Sequence, residues 1–365
     1  MLQLHQTTYI VTELNNPSQN CQKRKVLKST SGELIENRLQ QEPVSSLIKI
    51  MLALVYNMKK SGNPVGVSKD KLSSWARGVE QGNSSLVLCT GCEYQLIPYF
   101  LPLVDRVKKS GLVDSKLLDF TLRLKGFGLD FVSLFASLSA KDSDYYNELV
   151  RKHLLLLRRV KEDIAFLPDE LYPGTLLYEF GFLEEFVEHA KKVSKTFKER
   201  GVKTIITISP HSLEMFRLVY PSFVDGFDFE IVHYLELLTK YASNLRLAVK
   251  EPTSVTIHDP CHLARSMNIV EEPRAILNSV KGVELKEVPF AKKRWTTCCG
   301  APIETFLPML TEGISQKRVK ELKESGSDIA LTLCPFCHTN LRNASSTSGL
   351  KVMDFVDFLS RCIES

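Results

Sequence analysis

Residues 322–337 read LKESGSDIALTLCPFC, and residues 197–212 read FKERGVKTIITISPHS. Each copy predicts the same order of elements: the end of a helix, a glycine that caps it, a buried strand, and a turn with proline in its second position. Two serines of the first copy stand where the second copy has two cysteines. A repeated strand–helix unit indicates two tandem halves built on one plan.

Short apolar runs alternate with helical segments from residue 85 onward, and turn or cap residues bound each run. The predicted strands are residues 86–88, 204–208, 254–257 and 328–333. Alternation of strand and helix predicts parallel sheets with right-handed crossovers, so the fold class is α/β. Ligands of such sheets collect at the carboxyl ends of the strands, and Cys89, Cys261 and Cys334 each follow a predicted strand.

The chain length of 365 residues exceeds what one core usually supports, and we predict three regions. Residues 1–80 form a partly helical N-terminal extension, because apolar residues recur at helical spacing within 44–58 and a short helix follows around 71–76. Residues 81–245 form the first half, with an insertion at about 104–150 relative to the second half. Residues 246–365 form the second half.

The composition excludes several classes of function. A net charge of +5, with 24% charged and 44% apolar residues, is ordinary for a globular protein and gives no nucleic-acid footprint. The sequence shows no secretory pattern at its start and no uninterrupted run of the ~18 apolar residues that a bilayer span needs. Nine cysteines without a signal peptide indicate a reducing compartment and metal ligands. We therefore expect the cytoplasm, or the cytoplasmic face of a membrane complex.

Five cysteines of the second half follow the pattern C-x36-C-C-x34-C-x2-C, and they are Cys261, Cys298, Cys299, Cys334 and Cys337. Four thiolates satisfy a tetrahedral zinc ion or a cubane cluster, whereas a fifth thiolate and two adjacent ligands indicate something larger than one ion. Adjacent side chains tend to point apart, so they chelate one metal poorly but suit separate irons of a cluster. An iron–sulfur site for electron transfer is the favoured interpretation, with zinc and unliganded cysteines as alternatives.

A second site is a weaker hypothesis. Cys89 and Cys92 form a C-x2-C pair after a predicted strand, which is a metal or redox signal by itself. The repeat makes His211, in the turn of the first half, their best partner. The alternative is that Cys92 is a relic of the repeat and Cys89 a small apolar residue.

Four motifs together carry a family resemblance: Asp259-Pro260-Cys261-His262-Leu263-Ala264-Arg265, Glu271-Glu272-Pro273-Arg274, Cys298-Cys299-Gly300-Ala301 and Cys334-Pro335-Phe336-Cys337. In this order they resemble the cysteine-rich CCG-domain family. That family includes the B and D subunits of heterodisulfide reductase and the iron–sulfur subunits of glycolate and lactate oxidases. The resemblance covers roughly residues 50 to 360.

The resemblance implies two tandem Rossmann-like parallel-sheet halves related by pseudo-twofold symmetry. It also implies an iron–sulfur cluster of the 4Fe-4S type, cubane or non-cubane, held by the five cysteines. Residues 81–245 would be a degenerate CCG half, which lacks the paired cysteines and the C-P-x-C turn, and residues 246–365 an intact one. The implied partners are a flavoprotein dehydrogenase or a ferredoxin-type iron–sulfur subunit, in a pathway of small thiols and disulfides or of 2-hydroxy acids.

We predict an iron–sulfur electron-transfer subunit of a multi-subunit oxidoreductase, similar to heterodisulfide reductase or to the glycolate and lactate oxidases. The alternatives are a zinc-stabilised non-redox scaffold and a disulfide reductase that acts directly at the cluster. His262 is a candidate hydrogen-bond donor to a cluster sulfur or a substrate. Arg265 and Arg274 are candidates for neutralising cluster charge, although lone arginines more often form surface salt bridges.

Overall fold

The computed structural model describes residues 42–110, 142–241, 245–301 and 307–362. The described strands are β1 (Leu86–Cys89), β2 (Ala165–Phe166), β3 (Thr204–Thr207), β4 (Glu230–His233), β5 (Ala248–His258), β6 (Lys281–Leu285), β7 (Ile329–Thr332) and β8 (Lys351–Asp354). The described α-helices are α1 (Glu42–Ser61), α2 (Lys69–Leu72), α3 (Glu93–Ser110), α4 (Ser143–Val160), α5 (Thr175–Glu179), α6 (Leu183–Glu199), α7 (Pro210–Glu214), α8 (Tyr220–Phe223), α9 (Tyr234–Lys240), α10 (Glu272–Asn278), α11 (Pro308–Lys323), α12 (Pro335–Ser345) and α13 (Phe355–Arg361).

The strands form two parallel sheets of the same topology. The order is β2-β1-β3-β4 in the first sheet and β6-β5-β7-β8 in the second. Strands β1 and β3 pair with Cys89 opposite Thr207, and β5 and β7 pair with His258 opposite Thr332. The second sheet therefore repeats the first strand for strand. This arrangement confirms the α/β class and the two tandem halves.

The central strands are the ones that the sequence predicts, and their carboxyl ends are buried. Ile206 of β3 and Leu331 of β7, for example, are fully buried. Each of the strands β1, β3, β5 and β7 contributes side chains to one apolar core that runs through both halves. Each such side chain contributes roughly 1.5–3 kcal/mol when it leaves water, so this core fixes the strand ends from which the functional loops depart.

The third strand of each half leads into a helix in the same way. Ser209 and Cys334 are the N-cap residues of α7 and α12, and Pro210 and Pro335 take the first helical positions. Proline is favoured there because the N–H that it lacks would have no partner within the helix. The predicted turn and helix start are thus confirmed in both copies of the repeat.

Polar contacts also join the two halves. The hydroxyl groups of Tyr145 and Tyr146 on α4 lie 2.9 Å from His338 Nε2 and 2.7 Å from Thr339 Oγ1 on α12. Seven side chains of α4 are buried, so this basic helix is part of the packed structure.

Asp354 is a buried carboxyl between β8 and α13, where it accepts hydrogen bonds from the Tyr94 hydroxyl and the Val356 N–H, both at 2.9 Å. Burial raises the pKa of Asp354 from its ordinary value of 3.8 to about 7. The unfolded chain therefore ionises first as the pH rises. The contribution of the protonated Asp354 to the free energy of unfolding is fully present below about pH 4 and is lost as the pH rises to about 7.

The variant Asp354→Asn keeps the N-cap and the contact with Tyr94 but cannot ionise. We expect the wild type to lose on the order of 4 kcal/mol more than this variant across that pH range. Denaturant unfolding of both proteins at several pH values measures the difference. Parallel stability curves for the two proteins would contradict the account.

Some of the predicted regions can be compared with the structure, and others lie outside the residues that it describes. The predicted helix at 44–58 lies inside α1, and the next falls on α2 and the 3₁₀ turn Ser74–Ala76. The extension before residue 42 and residues 111–141 of the predicted insertion lie outside the described residues. The region boundaries at 80 and 245 stay predictions. Among the described residues, no helix combines the length and the apolar composition that a membrane span requires.

Candidate metal centre

Three loops of the second half supply the five cysteines. Cys261 lies just after β5, and Cys298 and Cys299 lie in the loop between β6 and α11. Cys334 is the N-cap residue of α12, and Cys337 lies in the first turn of that helix. Since β5 and β7 are neighbours in the sheet, their carboxyl ends bring the first and third loops together.

The sulfur atoms of the first two loops are in contact. Hydrogen bonds from Cys261 and Cys299 lower the pKa of Cys298 to about 2. The same contacts with Cys298 raise the pKa of both Cys261 and Cys299. These contacts therefore favour negative charge on Cys298 over its two neighbours.

The chain of contacts continues into the third loop. Hydrogen bonds with Cys299 and Cys334 raise the pKa of Cys337 well above its ordinary value. Burial acts to raise the pKa of Cys334, but hydrogen bonds from Cys337 and His211 lower it to about 5. All five sulfur atoms thus form one continuous series of contacts, with thiolate character at two of them.

The centre is closed on one side and open on the other. Cys299, Cys334 and Cys337 are buried, whereas Cys261 and Cys298 are partly exposed. The described cysteines are all free thiols. A centre at these sulfur atoms would be reached from the side of Cys261 and Cys298.

Helix α11 fixes the loop that carries the adjacent cysteines. Ser315 Oγ donates to the Cys299 carbonyl at 2.7 Å, and Thr311 Oγ1 donates to the Gly300 carbonyl at 3.2 Å. Gly300 has a φ of 95°, and a Cβ atom there would lie 3.0 Å from the Thr311 carbonyl oxygen. Glycine after the cysteine pair is therefore required by both the backbone conformation and the close approach of α11.

A buried ion-pair network fixes the loop that carries Cys261. Arg274 contacts Asp259 at 2.7 Å and Glu287 at 2.6 Å, and its side chain is 6% exposed. Asp259 also accepts the Lys293 N–H at 2.7 Å. The interpretation of Arg274 as a surface residue is thus wrong, because its guanidinium joins β5, α10 and the cysteine loop inside the protein.

A buried histidine lies beside these thiols, and it has an unpartnered nitrogen. A ring nitrogen of His258 and the Sγ atoms of Cys299 and Cys337 lie within 4.8 Å of one another. His258 Nε2 and Arg318 Nη2 are buried and have no hydrogen-bond partner among the described residues. Burial and the charge of Arg318 lower the pKa of His258 well below its ordinary value, so the imidazole is neutral.

A comparison with known protein families matches residues 255–342 to the cysteine-rich domain named CCG. The match begins in β5 and ends in α12, and it therefore contains all five cysteines. Residues 255–342 form a CCG domain.

Curated relatives carry names that agree with this domain. "Probable iron-sulfur-binding oxidoreductase FadF" of Bacillus subtilis is 30% identical over 49% of this chain and 26% of its own length. The B subunit of fumarate reductase (CoM/CoB) of Methanothermobacter marburgensis is 27% identical over 50% of this chain and 36% of its own. The D subunit of dihydromethanophenazine:CoB--CoM heterodisulfide reductase of Methanosarcina mazei is 27% identical over 48% and 44%. The chain spans less than half the length of these relatives. The domain match and the relatives' names confirm the resemblance to the CCG-domain family.

In the first half, the carboxylate of Glu93 lies beside the turn at residues 209–212, which corresponds to the Cys334–Cys337 turn of the second half. Glu93 is buried and accepts hydrogen bonds from Ser209 and, at 2.9 Å, from Ser212, the two serines that replace cysteines of the CCG domain. His211 Nδ1 lies 3.2 Å from the same carboxylate. Burial acts to lower the pKa of His211, but Glu93 and Cys334 raise it well above its ordinary value. His211 thus connects the first half to the third cysteine loop.

The structure does not assemble the predicted second site of Cys89, Cys92 and His211. Cys92 Sγ lies 3.8 Å from a carboxylate oxygen of Glu170, and burial followed by the charge of Glu170 raises the pKa of both cysteines. Among the described residues, these two thiols and His211 do not form a group of potential ligands within 4.8 Å. The physical reason is that His211 makes its hydrogen bonds with Glu93 and Cys334.

Other candidates also have identified contacts. His262 Nδ1 pairs with the Glu214 carboxylate, and its ring centroid lies 4.2 Å from that of His211. Arg265 donates to the Thr296 carbonyl at 2.6 Å and so supports the cysteine loop. Neither side chain has a described hydrogen bond to a cysteine sulfur. Their role as direct contacts to a bound centre stays a prediction.

Sequence reasoning missed three residues of the site: Glu93, His258 and Arg318. Glu93 and Arg318 lie in helices whose charged residues look like an ordinary solvated face. His258 ends a buried strand, directly before the Asp-Pro-Cys motif, and that position at a strand end is a signal that could have identified it.

Proposed function

We propose that this chain is the iron–sulfur electron-transfer subunit of a larger oxidoreductase. Its CCG domain would hold one cluster through Cys261, Cys298, Cys299, Cys334 and Cys337. The observation that carries this proposal is the continuous series of contacts among five sulfur atoms from three loops. The relatives named as an iron–sulfur-binding oxidoreductase and a heterodisulfide reductase subunit support it.

The donor set fits an iron–sulfur centre better than a single zinc ion. One tetrahedral ion needs four ligand atoms around a point, and the described residues contain no four potential ligand atoms within 4.8 Å of one another. A series of soft thiolates that extends over three loops suits several irons. The unpartnered buried nitrogen of His258, a residue of the group with Cys299 and Cys337, suits an anionic centre whose sulfur atoms accept hydrogen bonds.

When bound, such a cluster supplies reversible one-electron transfer. The residues of this chain provide the surroundings. Cys299, Cys334 and Cys337 are buried and exclude water from one side, whereas Cys261 and Cys298 face the open side. The ion pairs of Arg274 hold the Cys261 loop in a fixed position.

Reduction and reoxidation of the visible chromophore test the electron-transfer function. We expect anaerobically purified protein to be brown, to bleach with dithionite, and to recover its absorption when a redox dye accepts the electrons. A colourless protein that contains zinc and does not take up electrons would favour the scaffold alternative and reject the proposal.

The proposal includes a partner subunit that docks beside the cluster. The relatives' names describe subunits of larger enzymes. Phe290 and Trp295 are 88% and 85% exposed and precede the adjacent cysteines in the same loop, and Met309, 74% exposed, lies in the first turn of the helix that follows. Large apolar side chains that stay in water around a redox site favour a protein interface. A flavoprotein dehydrogenase or a ferredoxin-type subunit is the proposed occupant.

Replacing Trp295 by alanine is expected to weaken binding of the natural partner by at least about tenfold, because exposed aromatic residues are frequent hot spots. The partner is the protein that co-purifies with the native chain, and titration with that purified protein measures the affinity. Leu155→Ala is the matched control, since Leu155 is 57% exposed but lies on α4. Equal affinities of the two variants would contradict this docking site.

The proposed location is the cytoplasm or the cytoplasmic face of a membrane complex. Free thiols at every described cysteine support a reducing compartment. We retain 81–245 and 246–365 as the proposed halves, because one four-stranded sheet falls within each range.

A further inference from the structure

His258 ends the central strand β5 and lies inside the cysteine site. Its side chain is fully buried, and one ring nitrogen lies within 4.8 Å of the Sγ atoms of Cys299 and Cys337. This position leaves two possible roles for the imidazole. It could bind iron as an additional ligand, or it could donate a hydrogen bond to sulfur.

The hydrogen bond from Arg318 decides between these roles. Arg318 Nε donates to His258 Nδ1 at 3.0 Å. A guanidinium has N–H donors and no acceptor, so Nδ1 must carry a lone pair rather than a proton. The single proton of a neutral imidazole then sits on Nε2, the nitrogen that has no partner among the described residues.

Arg318 itself is firmly held. Its side chain is fully buried, and Nη1 donates to the Ala291 carbonyl at 2.7 Å and lies 3.0 Å from Glu321 Oε2. These contacts fix the guanidinium on α11, the helix that also supports the adjacent cysteines. The orientation of its Nε–H toward His258 therefore belongs to the folded protein and needs no bound group.

We propose that His258 is a fixed hydrogen-bond donor to the sulfur atoms of the cluster, with Arg318 selecting its tautomer, and that it is not an iron ligand. This inference rests on the proposed function. Ligation through Nε2 would move the proton to Nδ1, where it would point at the N–H of Arg318. Two donors would then face each other in a buried site, and such a pair is strongly disfavoured.

A comparison with the first half of the chain supports the conclusion that His258 and Arg318 act together. In the second half, His258 pairs with Thr332 of the neighbouring strand. In the first half, the equivalent pair is Cys89 and Thr207, so a cysteine takes the place of the histidine. When the alignment of the two repeat copies is extended back along the preceding helices, Val193 of the first half aligns with Arg318 of the second half. The half that lacks the five-cysteine set thus lacks both the imidazole and the guanidinium.

A donor to sulfur stabilises the additional negative charge of a reduced cluster and so raises its reduction potential. We expect His258→Phe to keep its iron but to be harder to reduce. At the wild-type midpoint potential, the ratio of reduced to oxidised cluster should fall about tenfold, as expected for loss of a hydrogen bond to a charged group. His258→Gln retains an N–H donor and should restore most of that ratio.

Redox titration followed by electron paramagnetic resonance measures these ratios, and iron analysis of each variant accompanies it. Strong nitrogen hyperfine coupling in the wild type, with loss of iron from both His258 variants, would show a ligand and overturn the inference. An unchanged potential in iron-loaded His258→Phe would overturn it as well. Absence of iron from the wild type would instead reject the proposed function.

The tautomer can be tested without iron. In the metal-free full-length chain labelled with nitrogen-15 histidine, long-range proton–nitrogen correlation spectra should show His258 protonated at Nε2. The variant Arg318→Met removes the donor to Nδ1 and should lose this strict preference. Protonation of His258 at Nδ1 in the wild type would overturn the inference, whatever the metal content of the protein.

Discussion

Cys299→Ser is expected to give a colourless protein that has lost its iron. Cys299 lies in the middle of the sulfur series, with hydrogen-bond contacts to both Cys298 and Cys337. A serine hydroxyl stays protonated at neutral pH and is a hard donor, so it cannot replace a thiolate toward iron. We expect the iron content per chain to fall at least about tenfold, since even second-layer contacts of a metal site alter affinity by that amount.

The matched control is Cys362→Ala. Cys362 is also a buried free thiol, but its Sγ contacts the Phe358 carbonyl oxygen at 3.2 Å, in α13. The control should keep wild-type iron and colour. Iron, acid-labile sulfide and the visible spectrum are measured for the three proteins after identical anaerobic purification. Wild-type iron in Cys299→Ser would refute the assignment of this residue as a ligand.

Arg274→Met is expected to have the second large effect, this time on stability. The substitution leaves Asp259, which is 2% exposed, as a buried carboxylate without its guanidinium partner. Removing one partner of a buried ion pair typically costs about 3–5 kcal/mol. We expect a loss of this size in the free energy of unfolding. Because Asp259 lies in the Cys261 loop and also holds the backbone at Lys293, in the loop of the adjacent cysteines, both loops should loosen and iron should be lost more readily.

Two further variants separate this effect from general sensitivity to mutation. Arg274→Met combined with Asp259→Asn removes the uncompensated charge and should recover part of the lost stability. Lys192→Met breaks an exposed pair with Glu188 and should leave the free energy of unfolding nearly unchanged. Denaturant unfolding measures all four proteins. A loss in Arg274→Met as small as that in Lys192→Met would show that the ion pair does not stabilise this loop.

The fold could be predicted from the sequence where strands are buried on both faces. Runs such as 204–208 and 328–333 are apolar and bounded by turns, and they form the central strands β3 and β7. The outer strands β2, β4, β6 and β8 were missed. Strand β2 has two residues, and β4 and β6 expose part of their side chains, so neither shows a distinct apolar run.

The candidate site could be predicted in part. The five cysteines were found because thiols are rare and their spacing points to metal. His258 and Arg318 were missed because their relation is a tertiary contact between residues 60 positions apart. The same limit applies to the second site: the repeat makes His211 the partner of Cys89 and Cys92, but the structure pairs it with the buried carboxylate of Glu93.

Elemental analysis of the native full-length chain after anaerobic purification tests the central claim most directly. If five thiols from three loops hold one iron–sulfur cluster, several irons and a similar number of acid-labile sulfides should be found per chain, with little zinc. One zinc per chain, with neither iron nor sulfide, would contradict the account.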